Sequence, residues 1–160
     1  DFLYTLCEAL AARRVVETGV AYGWSSLAIL LSLQSRPGAR LYSVDLPYFE
    51  RHNDRWVGAA VPEDLRKRWS LYRMADRQGL PRALRDAGGP LDLAHYDSDK
   101  SPEGRAFALP RLWAALRAGG VLVCDDIQDN LAFAHFCEHI TRTPIVLRKE
   151  GNDYVGIVKK

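Results

Sequence analysis

The most informative segment of this chain reads Val15-Val16-Glu17-Thr18-Gly19-Val20-Ala21-Tyr22-Gly23-Trp24-Ser25-Ser26. An apolar run that ends in an acid is followed by a turn of small residues and then by the helix-like stretch Trp24–Leu33. This order predicts a β-strand, a tight glycine turn and the start of a helix. Gly19 and Gly23 lack a Cβ, so the backbone can approach a ligand closely, and free N–H groups of the helix start face the same space. The segment therefore predicts a site for a nucleotide-type cofactor, and it favours an enzyme.

The bulk composition is that of an ordinary globular protein. The chain has 160 residues, of which 48% are hydrophobic and 26% charged, and its formal net charge is +2. This length predicts a single domain over residues 1–160. The small net charge predicts no nucleic-acid partner. No apolar run reaches the roughly 18–20 residues of a membrane span, and no signal-peptide pattern is present, so we expect no membrane association.

Cysteine usage indicates the compartment. Cys7, Cys124 and Cys137 are odd in number and lack metal-ligand spacing, so we expect reduced, buried thiols in a cytoplasmic protein. The chain begins at Asp1, inside a helix-like stretch and without a methionine, and we expect a further N-terminal segment before it. The sequence leaves open whether the protein forms a homo-oligomer.

Strand-like and helix-like segments alternate along the chain. The strand candidates are Arg14–Thr18, Arg40–Asp45, Trp69–Met74, Leu91–Tyr96, Gly120–Cys124, Pro144–Lys149 and Tyr154–Lys160. The helix candidates are Phe2–Ala12, Trp24–Leu33, Glu63–Arg68, Gln78–Ala87, Pro102–Arg117 and Asn130–Arg142. Several strands are short continuous apolar runs, as expected when helices cover both faces of a parallel sheet.

The last two strand candidates differ from the others in their connection. Only Glu150-Gly151-Asn152-Asp153 separates them, which is too short for a parallel crossover, so they should form an antiparallel hairpin. We therefore predict an α/β fold with a Rossmann-like, doubly wound, mostly parallel seven-stranded sheet and a C-terminal antiparallel hairpin.

Acidic residues follow nearly every predicted strand at one edge of the sheet. They are Glu17, Asp45, Asp76, Asp97 and the pair Asp125-Asp126. Ligands of open parallel sheets bind at the carboxyl ends of the strands. Asp45 is placed to accept hydrogen bonds from both ribose hydroxyls, and the alternative is a turn cap before Pro47. Asp76 either receives an adenine amino group or caps the helix near Gln78.

These residues together resemble a class I S-adenosylmethionine-dependent methyltransferase. The resemblance rests on Glu17-x-Gly19-x-Ala21-x-Gly23-x-Ser25, Val44-Asp45, Asp97 and Asp125-Asp126, and it spans essentially the whole chain. The terminal hairpin is similar to the antiparallel seventh strand of that family. The resemblance implies that S-adenosylmethionine is the cofactor, that the loop of Gly19, Ala21 and Gly23 holds its methionine portion, and that Asp45 holds its ribose. It also implies that Glu17 and Ser25 contact the cofactor.

A metal site is predicted where Asp97, Asp125 and Asp126 follow two strands that we expect to be neighbours. Three carboxylates that close repel one another, so either some are protonated or a cation lies among them. Carboxylate oxygens suit a hard divalent ion, Mg²⁺ first, with Mn²⁺ or Ca²⁺ as alternatives. The other interpretation is that Asp125 and Asp126 diverge, one capping the next helix and the other solvated.

The acid cluster is similar to that of metal-dependent O-methyltransferases. The catechol and caffeoyl-CoA types carry an acid after strand four and Asp-Asn after strand five, and in the catechol type a lysine three residues beyond the first acid is the general base. Asp97 and Lys100 match that spacing. The Asp125-Asp126 pair instead resembles the antibiotic-sugar O-methyltransferases, in which an acid at the place of Asp99 is the candidate base. The base is therefore Asp99 or Lys100, and Asp99 is slightly favoured because nearby carboxylates raise the pKa of a lysine.

Three further features have simpler interpretations. His135 and His139 share one face of a predicted helix, and we interpret them as helix-surface or substrate-contact residues. His95 lies inside a strand, where we expect it to be packed or hydrogen-bonded rather than catalytic. The partly aromatic stretch 47–69 forms either a lid or acceptor wall, or a helical insertion that packs on the core.

The sequence predicts an enzyme that transfers a methyl group from S-adenosylmethionine to a hydroxyl of a small molecule, with a divalent metal. Two alternatives stay open. An NAD-dependent oxidoreductase would need a fuller glycine fingerprint and a catalytic Tyr–Lys or His pair, neither of which can be placed here. A non-catalytic module would use the same fold to bind a cofactor or a partner.

Overall fold

The segment Arg14–Thr18 forms an inner strand, β1, of a seven-stranded sheet in a computed structural model that describes residues 2–47, 54–149 and 151–160. The other strands are β2 (Arg40–Asp45), β3 (Trp69–Arg73), β4 (Leu91–Tyr96), β5 (Leu116–Cys124), β6 (Ile145–Arg148) and β7 (Tyr154–Lys159). Their order is β3-β2-β1-β4-β5-β7-β6. Strands β1 to β5 are parallel, and β7 is antiparallel to both β5 and β6. The predicted sheet with its C-terminal antiparallel hairpin is confirmed.

The helices cover both faces of the sheet. They are α1 (Phe2–Ala9), α2 (Trp24–Leu33), α3 (Glu63–Arg66), α4 (Asp76–Ala87), α5 (Pro102–Ala115) and α6 (Ala132–His139), with short 3-10 turns at Asp54–Trp56 and Ile127–Asp129. Buried residues of α1, α2 and α3 pack with Val15 and Leu93 on one face. Buried residues of α4, α5 and α6 pack with Val16 and Ala94 on the other. Because successive residues of a strand point to opposite faces, each continuous apolar run supplies both cores.

Helices α1 and α5 both end earlier than predicted, each for a local reason. Helix α1 ends at Ala9 rather than Ala12, and Ala11 has a left-handed φ of 45° that no α-helix continues. Helix α5 ends at Ala115 rather than Arg117, because β5 already begins at Leu116, where it pairs with Leu91. Strand β5 is therefore longer than the predicted Gly120–Cys124.

Two other helices differ at their starts. Helix α4 begins at Asp76, two residues before the predicted Gln78. Helix α6 begins at Ala132 rather than Asn130, because the side chain of Asn130 accepts the N–H of Ala132 at 3.0 Å in front of the first turn. The remaining boundary differences, in α3, β3, β6 and β7 and at the end of α6, amount to three residues or fewer at any end.

The connection between β2 and β3 supports the glycine turn. Val57, Val61 and Leu65 are buried in the same core as α2. The N–H of Gly58 donates to the carbonyl of Ala21 at 2.9 Å, which fastens this connection to the glycine turn. Of the two interpretations of the stretch 47–69, the insertion that packs on the core agrees with the burial of Val57, Val61 and Leu65, whereas residues 54–56 are exposed. The part at 48–53 lies outside the described residues.

The three cysteines are free and buried, as the sequence predicts. They are Cys7, Cys124 and Cys137, and burial raises the pKa of the Cys7 and Cys124 thiols to about 12. Among residues 2–47, 54–149 and 151–160, no helix has the length and apolar character needed to cross a membrane.

Candidate active site

The glycine turn is pressed against the end of β4. Gly19 and Gly23 have φ values of 80° and 87°, in the left-handed region that favours glycine. A Cβ on Gly19 would lie 2.1 Å from the carbonyl oxygen of Asp97, and one on Gly23 would lie 2.8 Å from the Cα of Gly58. Both positions therefore require glycine for two reasons, the backbone conformation and the close approach of a neighbouring chain segment.

Replacement of Gly19 by alanine is expected to lower the free energy of unfolding by about 2 kcal/mol or more, because left-handed strain and a backbone clash add up. Gly38 is the matched control, since it has a similar φ of 75° but nothing within 4 Å of a Cβ. Gly38→Ala should cost only the conformational part, about 1 kcal/mol. Urea unfolding of the two variants measures both, and equal losses would contradict the role of the clash.

A cavity of about 480 Å³ lies between this turn and the ends of β2 and β4. We call it the glycine-loop cavity; its lining comprises Gly19, Val20, Ala21, Asp45, Leu46, Ala75, Asp76, Asp97, Ser98 and Asp99. Four of the predicted cofactor residues, Gly19, Ala21, Asp45 and Asp76, thus face one space. The volume is within the usual range of small-ligand sites, about 300–1,000 Å³.

Asp45 and Asp76 form the acidic side of the glycine-loop cavity. The guanidinium of Arg73 donates to the Asp45 carboxylate at 2.6 Å, yet burial outweighs it and raises the pKa of Asp45. Asp76 is the first residue of α4 and accepts a hydrogen bond from the hydroxyl of Ser98, and burial raises its pKa as well. Its side chain does not cap α4, so the ligand-facing interpretation fits its position better.

Glu17 lies in β1 on the same face of the sheet as Val15, the face that α1, α2 and α3 cover, and it is fully buried. One carboxylate oxygen accepts hydrogen bonds from the hydroxyls of Ser26 at 2.5 Å and Ser43 at 2.7 Å, which joins α2 to β1 and β2 beneath the glycine turn. Trp69 donates its indole N–H to the same Ser43 hydroxyl at 2.8 Å. Glu17 thus has partners within the protein, and its contact with a cofactor stays a prediction. Ser25 lines a second cavity instead.

This second cavity, the Trp24 cavity, has a volume of about 280 Å³. Its lining comprises Phe2, Leu3, Trp24, Ser25, Ala28, His95, Val123, Asp125, Lys149 and Val155. Most of the wall is apolar or aromatic, and the polar groups of His95, Asp125 and Lys149 converge on it. A small apolar molecule with a polar substituent fits such a lining.

The acid cluster of Asp97, Asp125 and Asp126 includes wall residues of both cavities, since Asp97 lines the glycine-loop cavity and Asp125 the Trp24 cavity. Carboxylate oxygens of Asp97 and Asp125 lie within 4.8 Å of each other. Lys100 contacts an oxygen of Asp97 and lies 2.9 Å from Oδ2 of Asp126. Lys149 lies 2.6 Å from Oδ1 of Asp125 and 3.2 Å from Oδ1 of Asp126. The expected repulsion among the carboxylates is therefore relieved by two ammonium groups. Burial alone lowers the pKa of Lys100, but Asp97 and Asp126 raise it overall.

The two candidate bases differ in their surroundings. Lys100 lies within the acid cluster. Asp99 is exposed, and its Oδ1 accepts the backbone N–H of Ser101 at 3.0 Å, in front of α5. Ser101 in turn caps α5 by accepting the N–H of Gly104 at 3.0 Å. The carboxylate of Asp99 thus takes part in the start of a helix, although Asp99 also lines the glycine-loop cavity.

His95 is buried, as expected, but the sequence analysis missed its position beside the acids. Its ring has a nitrogen within 4.8 Å of oxygens from both Asp97 and Asp125. Its Nδ1 lies 3.5 Å from Oε1 of Glu17. Burial raises the pKa of Glu17 and lowers that of His95, yet their mutual attraction outweighs burial and favours the charged form of each. The signal that could have found His95 is its two-residue spacing from Asp97 at the end of a strand.

Arg105 is a second residue that the sequence analysis missed. Although it is fully buried, its guanidinium donates to the carbonyls of Asp125 at 3.2 Å and Asp126 at 2.7 Å. It also donates to the side-chain oxygen of Asn130 at 3.2 Å, and the amide of Asn130 donates to the carbonyl of Lys100 at 2.8 Å. This network joins the loops that follow β4 and β5. An arginine in the first turn of a helix gives no sequence signal for such a role.

The helix-surface interpretation of two histidines agrees with the structure. His135 and His139 are exposed on α6 and line a cavity of about 330 Å³ between α5 and α6. In the described part of the chain, the group of side chains spaced for a metal ion is that of His95, Asp97 and Asp125, and it does not include them.

Comparison with known proteins decides the family. Residues 16–127 match a family model described as a methyltransferase domain. The chain belongs to this methyltransferase family. The resemblance inferred from the glycine turn and the acids is confirmed, and the oxidoreductase alternative gains no support. Among curated proteins, none matches the sequence significantly.

Several solved structures share the fold. The O-methyltransferase TomG from Streptomyces achromogenes, involved in tomaymycin synthesis and solved with SAM, has a TM-score of 0.79 at 19% identity, covering 99% of this chain and 78% of that chain. Cofactor-bound Rv0187 from MTB has a TM-score of 0.78 at 21% identity, covering 99% of this chain and 77% of that chain. An O-methyltransferase from Bacillus cereus in complex with SAH has a TM-score of 0.72 at 21% identity, covering 99% of this chain and 79% of that chain.

Proposed function

We propose that this methyltransferase transfers the methyl group of S-adenosylmethionine to a hydroxyl group of a small molecule, with a divalent cation at the acid cluster. The observation that carries the proposal is the glycine-loop cavity, which gathers Gly19, Ala21, Asp45 and Asp76 and reaches Asp97. The binding of SAM or SAH by TomG and by the Bacillus cereus enzyme supports this choice of cofactor.

The cofactor has a natural orientation in this cavity. Asp45 is the acceptor that we assign to the ribose hydroxyls, and Asp76 the acceptor for the adenine amino group. Gly19 and Ala21, with the N–H groups at the start of α2, are assigned to the methionine portion. This orientation directs the reactive methyl group toward Asp97 and the acid cluster.

The Trp24 cavity is our candidate for the acceptor site, because Asp125 on its wall is a neighbour of Asp97 on the wall of the other cavity. Transfer is an in-line displacement in which the acceptor oxygen forms a bond to the methyl carbon while the carbon–sulfur bond breaks. The sulfur keeps the electron pair, and the hydroxyl proton passes to a base. The protein contributes mainly alignment and proximity.

The acid cluster fits a divalent cation by its donor atoms. Carboxylate oxygens of Asp97 and Asp125 and a ring nitrogen of His95 lie within 4.8 Å of one another. A divalent ion held by these residues would supply positive charge that favours loss of the proton from the acceptor hydroxyl. Within the cluster, we propose Lys100 as the base, since its Nζ lies among the carboxylates while the carboxylate of Asp99 accepts from the backbone in front of α5. Asp97 and Asp126 raise the pKa of Lys100, and the positive charge of the cation would have to lower it again before Lys100 could accept a proton.

Calorimetric titration with S-adenosylhomocysteine and with NAD, followed by a methyl-transfer assay on a panel of phenols, sugars and amines, tests the proposal. We expect S-adenosylhomocysteine to bind and NAD not to bind, and we expect methylation of hydroxyl compounds. Tight NAD binding without S-adenosylhomocysteine binding would overturn the proposal. Methylation of amines alone would overturn the hydroxyl acceptor.

Asp45→Ala is expected to weaken S-adenosylhomocysteine binding about 10- to 100-fold, because hydrogen bonds to a charged group contribute about 1.5–3 kcal/mol. Asp54→Asn is the matched control. Asp54 contacts the same Arg73 guanidinium, but it does not line the glycine-loop cavity. Calorimetry should therefore give an affinity for Asp54→Asn close to that of the unaltered protein, and an equal loss in both variants would assign the effect to Arg73.

A further inference from the structure

The oxygens of the three acids are not equally available to a cation. Both oxygens of Asp126 contact lysines, Oδ1 that of Lys149 and Oδ2 that of Lys100. In Asp97 and in Asp125, only Oδ1 contacts a lysine, Lys100 in the first case and Lys149 in the second. Oδ2 of Asp97 and Oδ2 of Asp125 accept no hydrogen bond from the described residues, so one open oxygen remains on each.

His95 supplies a third donor, because a nitrogen of its ring lies within 4.8 Å of a carboxylate oxygen of Asp97 and of Asp125. Its side chain is only 4% exposed, and within the described residues its Nδ1 has no hydrogen-bond partner of good geometry. The polar atom that Nδ1 faces is Oε1 of Glu17, 3.5 Å away, which is likewise unsatisfied. With Nδ1 turned to this carboxylate, Nε2 is the nitrogen left for a ligand. His95 also lines the Trp24 cavity together with Asp125.

A buried histidine between the carboxylate of Glu17 and those of Asp97 and Asp125 is the arrangement typical of metal-binding histidines, which donate their second ring N–H to a carboxylate. We propose that His95, Asp97 and Asp125 bind the divalent cation, that Glu17 orients His95, and that Asp126 is not a ligand. This inference rests on the divalent cation of the proposed function and names its ligands.

The ligand set has a consequence for the choice of metal. A site of carboxylate oxygens alone suits Mg²⁺ or Ca²⁺, whereas an imidazole nitrogen favours transition metals. We therefore expect Mn²⁺, Co²⁺ or Zn²⁺ to bind this site more tightly than Mg²⁺. Because Glu17 also bonds Ser26 of α2, the same carboxylate connects the metal site to the helix that follows the glycine turn.

The test measures metal binding directly on the full chain after chelator treatment. Mn²⁺ is titrated by calorimetry, and electron spin echo spectroscopy of the Mn²⁺ complex detects the nitrogen of a coordinated imidazole. We expect a nitrogen signal in the unaltered protein, its loss in His95→Asn, and a drop in Mn²⁺ affinity of about 100-fold. Glu17→Gln should retain the nitrogen signal with affinity reduced about 10- to 100-fold.

Asp126→Asn is the control that separates the two ligand sets, and it should retain the nitrogen signal with affinity changed less than about tenfold. Bound Mn²⁺ without a nitrogen signal, or with equal affinity in His95→Asn, would overturn the inference. The spectrum of the unaltered protein decides this even if a variant fails to fold. Absence of any Mn²⁺ binding, with S-adenosylhomocysteine bound normally, would remove the cation and leave the cofactor proposal intact. Loss of cofactor binding would be the separate failure of the proposed function.

Discussion

Lys100→Met is expected to lower kcat by about 10²- to 10⁴-fold, the usual contribution of a general base. The Nζ of Lys100 contacts Asp97 and lies 2.9 Å from Oδ2 of Asp126, so it belongs to the acid cluster. Methionine keeps most of the side-chain volume and cannot accept a proton. A methyl-transfer assay at saturating cofactor measures the loss, and S-adenosylhomocysteine affinity is expected to stay within a few-fold.

Asp99→Asn separates the two candidate bases. Asp99 lines the glycine-loop cavity, but its Oδ1 accepts the backbone N–H of Ser101, a bond that the oxygen of asparagine can also accept. We therefore expect a loss in kcat of less than about tenfold, well below the contribution of a base. A large loss in Asp99→Asn with little change in Lys100→Met would transfer the role to Asp99, which the sequence analysis slightly favoured.

Arg105→Ala is expected to lower the free energy of unfolding by about 3 kcal/mol or more. Arg105 is fully buried, and its guanidinium donates to the carbonyls of Asp125 and Asp126 and to the side chain of Asn130, which are partly buried. Hydrogen bonds to charged groups contribute about 1.5–3 kcal/mol each, and acceptors left without a donor add a further penalty. Urea unfolding measures the loss. Methyl transfer should fall as well, because the same bonds hold the loop of Asp125.

Arg105→Lys is the control for this prediction. Lysine keeps the charge and much of the length, but it lacks the fork of N–H groups that reaches three acceptors. We expect an intermediate loss, between those of the alanine variant and the unaltered protein. If lysine restores full stability, the charge alone is sufficient and the fork has no structural role. If neither variant loses stability, the network does not hold the loops.

Much of the fold was predictable because its signals are local. The apolar run before Glu17, the glycines at 19 and 23 and the short connection at 150–153 each follow from backbone geometry within a few residues. The strand ends were correct at Thr18, Asp45, Tyr96 and Cys124, so the acids at the sheet edge were assigned to the right places. The boundaries of α1, α5 and α6 were less predictable, since they depend on a left-handed residue, a long β5 and a side-chain cap.

The candidate site was predictable only in part. The acids at 45, 76, 97 and 125 were found because each follows a strand, and parallel strands end at the same edge. The contacts that these acids make could not be predicted, because the partner of Asp125 is Lys149. Lys149 follows β6 in the terminal hairpin, 24 positions beyond Asp125 in the sequence. The side chains of two adjacent aspartates leave the chain in different directions, and only the packed structure shows that both oxygens of Asp126 contact lysines.

The sequence by itself determined the alternation of strands and helices, the glycine turn and the family, because these depend on the order of residues along the chain. Only the tertiary structure decided the partners of His95 and Arg105. Glu17 and His95 lie 78 positions apart and meet because β1 and β4 are neighbours in register. Such a pairing depends on strand order and on which face a side chain takes, and both are settled by the packing of the whole sheet.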